Sequence, residues 1–231
     1  MNINKEIKFT DLGVIDYKKA WDYQEELFHK ALDKKAENFK LPEDQQQAVS
    51  NELLFCIHPH VFTLGKSGDI QNLLVAEHFL KTKGVDYYHI NRGGDITYHG
   101  PGQLVAYPIF DLKNYDLSIK EYIHSLEEVI IHVLKDYNIE AGRIPESTGV
   151  WLDVGKPSAR KICAIGVKAS RYVSMHGLAF NINTDLDYYG YINPCGITDK
   201  GVTSLKKELG YEVPMDEIAE KTLKAFKEVF R

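Results

Sequence analysis

The run Asp95-Ile96-Thr97-Tyr98-His99-Gly100-Pro101-Gly102-Gln103-Leu104-Val105-Ala106-Tyr107-Pro108-Ile109-Phe110 reads as two strands, 95–99 and 103–110, joined through a Gly-Pro-Gly break. β-Branched and aromatic residues fill both segments, and glycine with proline supplies the turn chemistry between them. The period then changes. Over 118–137, Tyr122, Ile123, Leu126, Val129, Ile130, Val133 and Leu134 recur at three- and four-residue intervals; Ser118 is placed to cap, with Glu121 three residues on. That is an amphipathic helix opened by a capping box.

Outward from this pair, further strands are predicted at 6–10, 52–58, 61–64 and 85–90 upstream. Downstream strands are predicted at 149–153, 161–168 and 173–182, the last two forming a hairpin through Ala169-Ser170-Arg171-Tyr172. A first helix is expected over 16–39 from the spacing of Tyr17, Ala20, Trp21, Leu27, Phe28 and Ala31. Residues 70–83 read as a turn and short helix stopped by Gly84, and 41–47 as a polar surface loop. A closing helix is expected over 214–230 behind Pro214. Strands and helices are intermixed rather than strictly alternating, which predicts an α+β (mixed α/β) fold in a single domain spanning 1–231.

Composition narrows the function classes. At 231 residues, 44% hydrophobic and 26% charged, the chain is an ordinary globular sequence. No apolar run approaches a membrane span and no secretory core follows Met1, so a cytoplasmic protein with no membrane partner is expected. A formal net charge of −5 argues against nucleic acid as a partner. The three cysteines, Cys56, Cys163 and Cys195, fit reduced thiols rather than a disulfide scaffold or zinc ribbon. No metal is expected, since no close Cys/His quartet occurs among these cysteines and His58, His60, His99 and His176. A monomer is the default.

Three segments carry reactive residues. In Asn91-Arg92-Gly93-Gly94-Asp95 and the strand that follows, glycines let backbone approach a ligand, Arg92 can bind an anion, and His99 can exchange a proton. The same glycines also serve as two tight turns around a structural His99. Neither GxxxxGK[ST] nor GxGxxG is present, so the nucleotide motifs fail. In Arg160-Lys161-Ile162-Cys163-Ala164-Ile165-Gly166, alternation puts Lys161, Cys163 and Ile165 on one strand face. Lys161 there is either a solvated edge residue or, in an apolar site, a base. In Asn193-Pro194-Cys195-Gly196-Ile197 a thiol sits at a turn, which suits a nucleophile but by itself only nominates one.

Together with His58-Pro59-His60, His176-Gly177-Leu178-Ala179-Phe180-Asn181 and Thr203-Ser204-Leu205, these segments resemble the lipoyl(octanoyl) transferase family over most of 52–205. The resemblance implies the fold of the biotin/lipoate protein ligase superfamily. It implies octanoyl transfer from acyl carrier protein to the lysine of lipoyl domains, in 2-oxoacid dehydrogenase E2 subunits or the glycine-cleavage H protein. It implies no bound cofactor, the octanoyl group arriving on the carrier's phosphopantetheine. By family match Cys195 is the acyl-accepting nucleophile and Lys161 its dyad partner; Gly93, Gly94, His99, Ile165, Gly166, His176, Gly177 and Ala179 line the acyl pocket. The Gly93-Gly94 turn is a candidate oxyanion donor. Cys163 stands where the family has a small residue, which introduces a second thiol. An ATP-dependent lipoate–protein ligase on the same fold, a non-catalytic acyl-binding module and a cysteine hydrolase are the rival readings.

Overall fold

The computed structural model describes residues 3–193 and 200–231. Its large sheet has the strand order β1 (Ile7–Val14), β2 (Asn51–Ile57), β6 (Gln103–Ile109), β10 (Val173–Asn181), β9 (Arg160–Ser170), β8 (Ser147–Leu152) and β7 (Gly142–Ile144). The two-residue β11 (Gly201–Val202) also pairs with β9. The β1–β2 and β9–β11 pairs are parallel and the others antiparallel. A small sheet carries β3 (Val61–Leu64) between β4 (Asp86–His89) and β5 (Ile96–His99).

Alternation along the central strands splits the apolar residues cleanly between the two faces. Leu53, Phe55, Leu104, Ala106, Leu178 and Phe180 face α3 (Ile119–Lys135) and α5 (Met215–Val229). Leu54, Cys56, Val105, Tyr107, Met175 and Ala179 face α1 (Tyr17–Asn38). This three-layer arrangement is the mixed α/β architecture expected from the interleaved periodicities. The capping box forms as read: the Glu121 amide donates to Ser118 Oγ and the Ser118 amide donates to Glu121 Oε2.

Most boundaries lie within two residues of expectation. Gly84, at φ +66°, follows α2 (Glu77–Thr82) as its stop. Six elements among the described residues were not anticipated: β7, β11, α4 (Leu205–Leu209) and the 3-10 turns Glu43–Gln45, Leu112–Tyr115 and Leu186–Tyr191. Each is six residues or fewer, too short to display a period.

Candidate active site

Between the two sheets lies a cavity of about 530 Å³, within the roughly 300–1,000 Å³ range of small-molecule sites. The 92–97 loop and strand roof it, and β9 and β10 form its floor, with Tyr17 contributed by α1. Of the residues nominated from sequence, Lys161, Arg92, Gly93, Gly94, His99, Ile165, Gly166, His176, Gly177 and Ala179 all border it. Cys195 lies outside the described residues.

Two glycines stand opposite each other in register, Gly166 on β9 and Gly177 on β10; the first lets the roof approach the floor closely and the second lets β10 lie close against β6. A Cβ at Gly166 would lie 2.9 Å from the Gly93 carbonyl oxygen, and one at Gly177 would lie 2.1 Å from that of Ala106. Side chains at either position would push apart backbone that is now in contact. The contact is a hydrogen bond as well: the Gly93 amide donates to Val167 O at 2.9 Å. That corrects one expectation. With its N–H committed to the sheet, Gly93 is not an oxyanion donor, which leaves Gly94 of that turn as the candidate.

Arg92 is buried, and its guanidinium donates to Thr63 O (2.6 Å), Thr63 Oγ1 (2.9 Å) and Gly93 O (3.0 Å). It ties the roof loop to β3. Thr63 Oγ1 lies 3.5 Å from His99 Nε2, and His99 Nδ1 lies 2.8 Å from Gln103 Oε1. The Gln103 amide nitrogen donates to Tyr98 O and Asn181 Oδ1, so Oε1 is an acceptor and His99 carries its proton on Nδ1. Burial, then repulsion from His58 once protonated, the Arg92 guanidinium and a protonated His176, pulls the His99 pKa down to about 3. His99 is therefore a neutral imidazole at pH 7 that positions its neighbours, and the proton-exchange role considered from sequence does not suit it.

His176 is the least regular residue of the site. It sits in the middle of β10 with φ +61°, a left-handed conformation costing about 1–3 kcal/mol for a side chain of this kind. Asn91 donates through Nδ2 to Glu25 Oε1, so its Oδ1 accepts from His176 Nε2 at 2.8 Å. The other nitrogen, Nδ1, is then an unprotonated acceptor, and it is buried without a hydrogen-bond partner. Burial, assisted by Arg92 and Lys168, holds this imidazole neutral with a pKa of about 3.

At the opposite end, Lys161 opens β9. Gly149 beside it lets β8 lie close to β9, since a Cβ there would sit 2.5 Å from the Cys163 carbonyl oxygen. The Lys161 ammonium lies 4.7 Å from the centroid of the Trp151 ring, a cation–π contact worth about 0.5–2 kcal/mol. β11 runs beside this lysine, with Val202 paired to it and the Thr203 amide donating to its carbonyl.

The second thiol is resolved by register. Trp151 pairs with Lys161 but Val150 pairs with Cys163, so β9 carries one extra residue, Ile162, in a β-bulge. The bulge resets the alternation, and the shared face read for Lys161 and Cys163 does not hold. Lys161 and Ala164 border the cavity, whereas Cys163 is fully buried in the α3/α5 core. Burial drives its thiol pKa far above the ordinary range, which leaves it protonated and unreactive.

Sequence reading overlooked Tyr17, Tyr107, Asn181 and Tyr189, which also border the cavity. Tyr17 and Tyr107 were indistinguishable from core residues of their elements. Asn181, which ends β10 and accepts from Gln103, was legible only as a polar residue closing an apolar strand. Among the described residues no group of three or more metal-ligating side chains occurs, and no helix is long and apolar enough to cross a membrane.

Comparison with known proteins agrees with this geometry. The model of the lipoyl protein ligase A/B catalytic domain matches residues 16–227. The octanoyltransferase of Christiangramia forsetii is 54% identical over 230 residues, covering 99% of this chain and 97% of its own. A bipartite lipoate protein ligase from Thermoplasma acidophilum superposes with a TM-score of 0.66 at 16% identity, over 97% of this chain and 84% of its own. The biotin protein ligase of Aquifex aeolicus gives a TM-score of 0.52 at 13% identity, over 96% and 70% of the two chains. At those identities the two structures speak for the fold alone, which is the biotin/lipoate protein ligase fold. The family match and the full-length similarity place the chain itself: it belongs to the lipoyl protein ligase A/B catalytic-domain family.

Proposed function

We propose that this protein is an acyltransferase that moves an octanoyl group from acyl carrier protein to the lysine of a lipoyl domain through a thioester on Cys195. The observation that carries the reading is the cavity with Lys161 at one end, in a chain more than half identical over nearly its whole length to octanoyltransferases. In the first step the Cys195 thiolate attacks the donor thioester carbon. A new C–S bond forms, the bond to the phosphopantetheine sulfur breaks, and the leaving thiolate takes the Lys161 ammonium proton. One thioester replaces another, so the step is nearly isoenergetic.

The acceptor lysine has an ordinary pKa of about 10.4, so it first gives one proton to solvent to become the neutral amine that attacks, and it must lose a second as the amide forms. Lys161, neutral after the first step, is the group that takes this second proton. The nitrogen–carbon bond forms, the Cys195 C–S bond breaks, and the ammonium–thiolate pair returns. Amide formation from a thioester is downhill, so no ATP is consumed and no cofactor is needed on the protein. The Trp151 ring supports this cycle by holding the lysine in place over an aromatic face rather than in bulk water. The reading places the protein in the cytoplasm, where acyl carrier protein and lipoyl domains are met, and as a monomer, since one chain supplies every residue invoked.

Intact mass after incubation with octanoyl-acyl carrier protein, without ATP or acceptor, tests the proposal on wild type, Cys195→Ser and Cys163→Ser. A hydroxylamine-labile octanoyl adduct is expected on wild type and Cys163→Ser and absent from Cys195→Ser. No adduct on wild type, or an adduct surviving in Cys195→Ser, would overturn the covalent mechanism.

A further inference from the structure

We infer that the His176 imidazole is the end wall of the acyl cavity and sets the longest chain the protein accepts. The inference rests on the proposed acyl reading of the cavity and adds to it the residue that limits chain length.

Three observations meet at this ring. The first is placement. On β9 the cavity lining starts at Lys161 and stops at Val167; on β10 it starts at Asn181 and stops at His176. Val167 and His176 are register partners, so this pair marks the end of the hairpin lining farthest from Lys161. An acyl group whose carbonyl is held near Lys161 directs its tail along the hairpin towards them.

The second observation is orientation. On β10, Met175 and Ala179 face α1 while Leu178 and Phe180 face α3 and α5. Alternation alone would assign His176 to the latter group. The left-handed φ of +61° instead brings its ring to the α1 side, where it bonds Asn91 and lies 6.5 Å from the Trp21 ring. The ring therefore stands at the cavity wall with the Trp21 ring of α1 beside it.

The third is the unsatisfied Nδ1. A buried acceptor without a partner and a strained backbone angle coincide at one residue, 1% exposed, on the cavity wall. Local strain of this kind persists where the surroundings impose it, and here the His176 amide donating to Gln24 Oε1 and Nε2 donating to Asn91 Oδ1 hold the ring at the cavity wall. A neutral imidazole whose bonded nitrogen faces Asn91 presents the rest of its ring as a blunt surface to an alkyl terminus.

The test uses substitutions that suit the backbone. Glycine adopts positive φ freely and asparagine tolerates it, so His176→Gly and His176→Asn remove the ring without adding strain. The readout is kcat/KM for octanoyl-, decanoyl- and dodecanoyl-acyl carrier protein with a lipoyl-domain acceptor. Each newly buried methylene is worth roughly fourfold, so two give about fifteenfold. The decanoyl-to-octanoyl ratio is expected to rise about tenfold in His176→Gly and by at least threefold in His176→Asn. A ratio that moves less than threefold in both variants overturns the inference, even if absolute rates fall, because a merely structural histidine would depress all chain lengths alike. Wild type that transfers no octanoyl would remove the acyl reading itself, and this inference with it.

Discussion

Replacing Gly166 with alanine puts one methyl group where the roof of the cavity meets its floor. The added Cβ would lie 2.9 Å from Gly93 O, 3.1 Å from Arg92 Cδ and 3.4 Å from Arg92 Nη1. Comfortable carbon–oxygen contacts are about 3.3–3.6 Å, so the loop must retreat by roughly half an ångström. Arg92 cannot swing aside alone, because its guanidinium is held by Thr63 and by the same Gly93 carbonyl. The retreat would stretch the 2.9 Å bond from the Gly93 amide to Val167 O, worth about 1 kcal/mol. Overpacking adds about 1–3 kcal/mol. For a chain of this size each kcal/mol lowers Tm by about 2–4 °C, so Gly166→Ala should melt roughly 4–16 °C below wild type. The methyl also intrudes on the acyl channel. Displacing a reacting group by 1 Å can cost about 100-fold, and half of that displacement should reduce octanoyl kcat/KM by about tenfold. Differential scanning fluorimetry and a mass-resolved acylation assay on a lipoyl domain measure both effects. A Tm within 1 °C of wild type together with unchanged octanoyl transfer would refute the argument that backbone crowding at Gly166 shapes the site.

Two further outcomes follow from the same geometry. Lys161→Ala should lower kcat by about 100- to 10,000-fold while KM for the carrier substrate stays within about threefold, and Lys161→Arg should not restore it, since a guanidinium does not release its proton; near-normal turnover in steady-state assays would remove Lys161 from the mechanism. Acid stability should depend on His58, His99 and His176, whose pKa values are pulled from the ordinary 6.5 to about 4, 3 and 3, chiefly by burial. The unfolded chain binds protons at these groups below pH 6.5 while the folded chain does not. Their neutral burial therefore costs nothing above pH 6.5, and the protein loses up to about 1.4 kcal/mol per pH unit per histidine as pH falls towards 4. Tm measured from pH 7.5 to 4.5 should drop steeply below 6.5, and a flat profile would contradict the neutral assignments.

Much of this molecule is legible without coordinates, for a local reason. Helical and strand periods belong to the backbone itself, so α1, α3, α5 and the central strands can be read from which residues recur at which interval. The capping box at Ser118 and Glu121 is equally local, as are the clustered glycines of 91–103 and the lysine opening β9. The joint occurrence of these motifs also points to the family, because their order along the chain carries that information whatever their spatial arrangement.

Tertiary structure alone decided what those residues can do. Cys163 and Lys161 share a face on an ideal strand; the extra residue Ile162, visible only in the register with β8, sends the thiol into the core and leaves the lysine at the cavity. Gly93 reads as a free amide until β9 is placed beneath it and the Val167 carbonyl accepts its hydrogen bond. His99 reads as a proton carrier until Tyr17 of α1 closes over it, and burial by residues far along the chain then keeps it uncharged. Register, desolvation and hydrogen-bond competition all depend on partners distant in sequence, so no local pattern could have reported them.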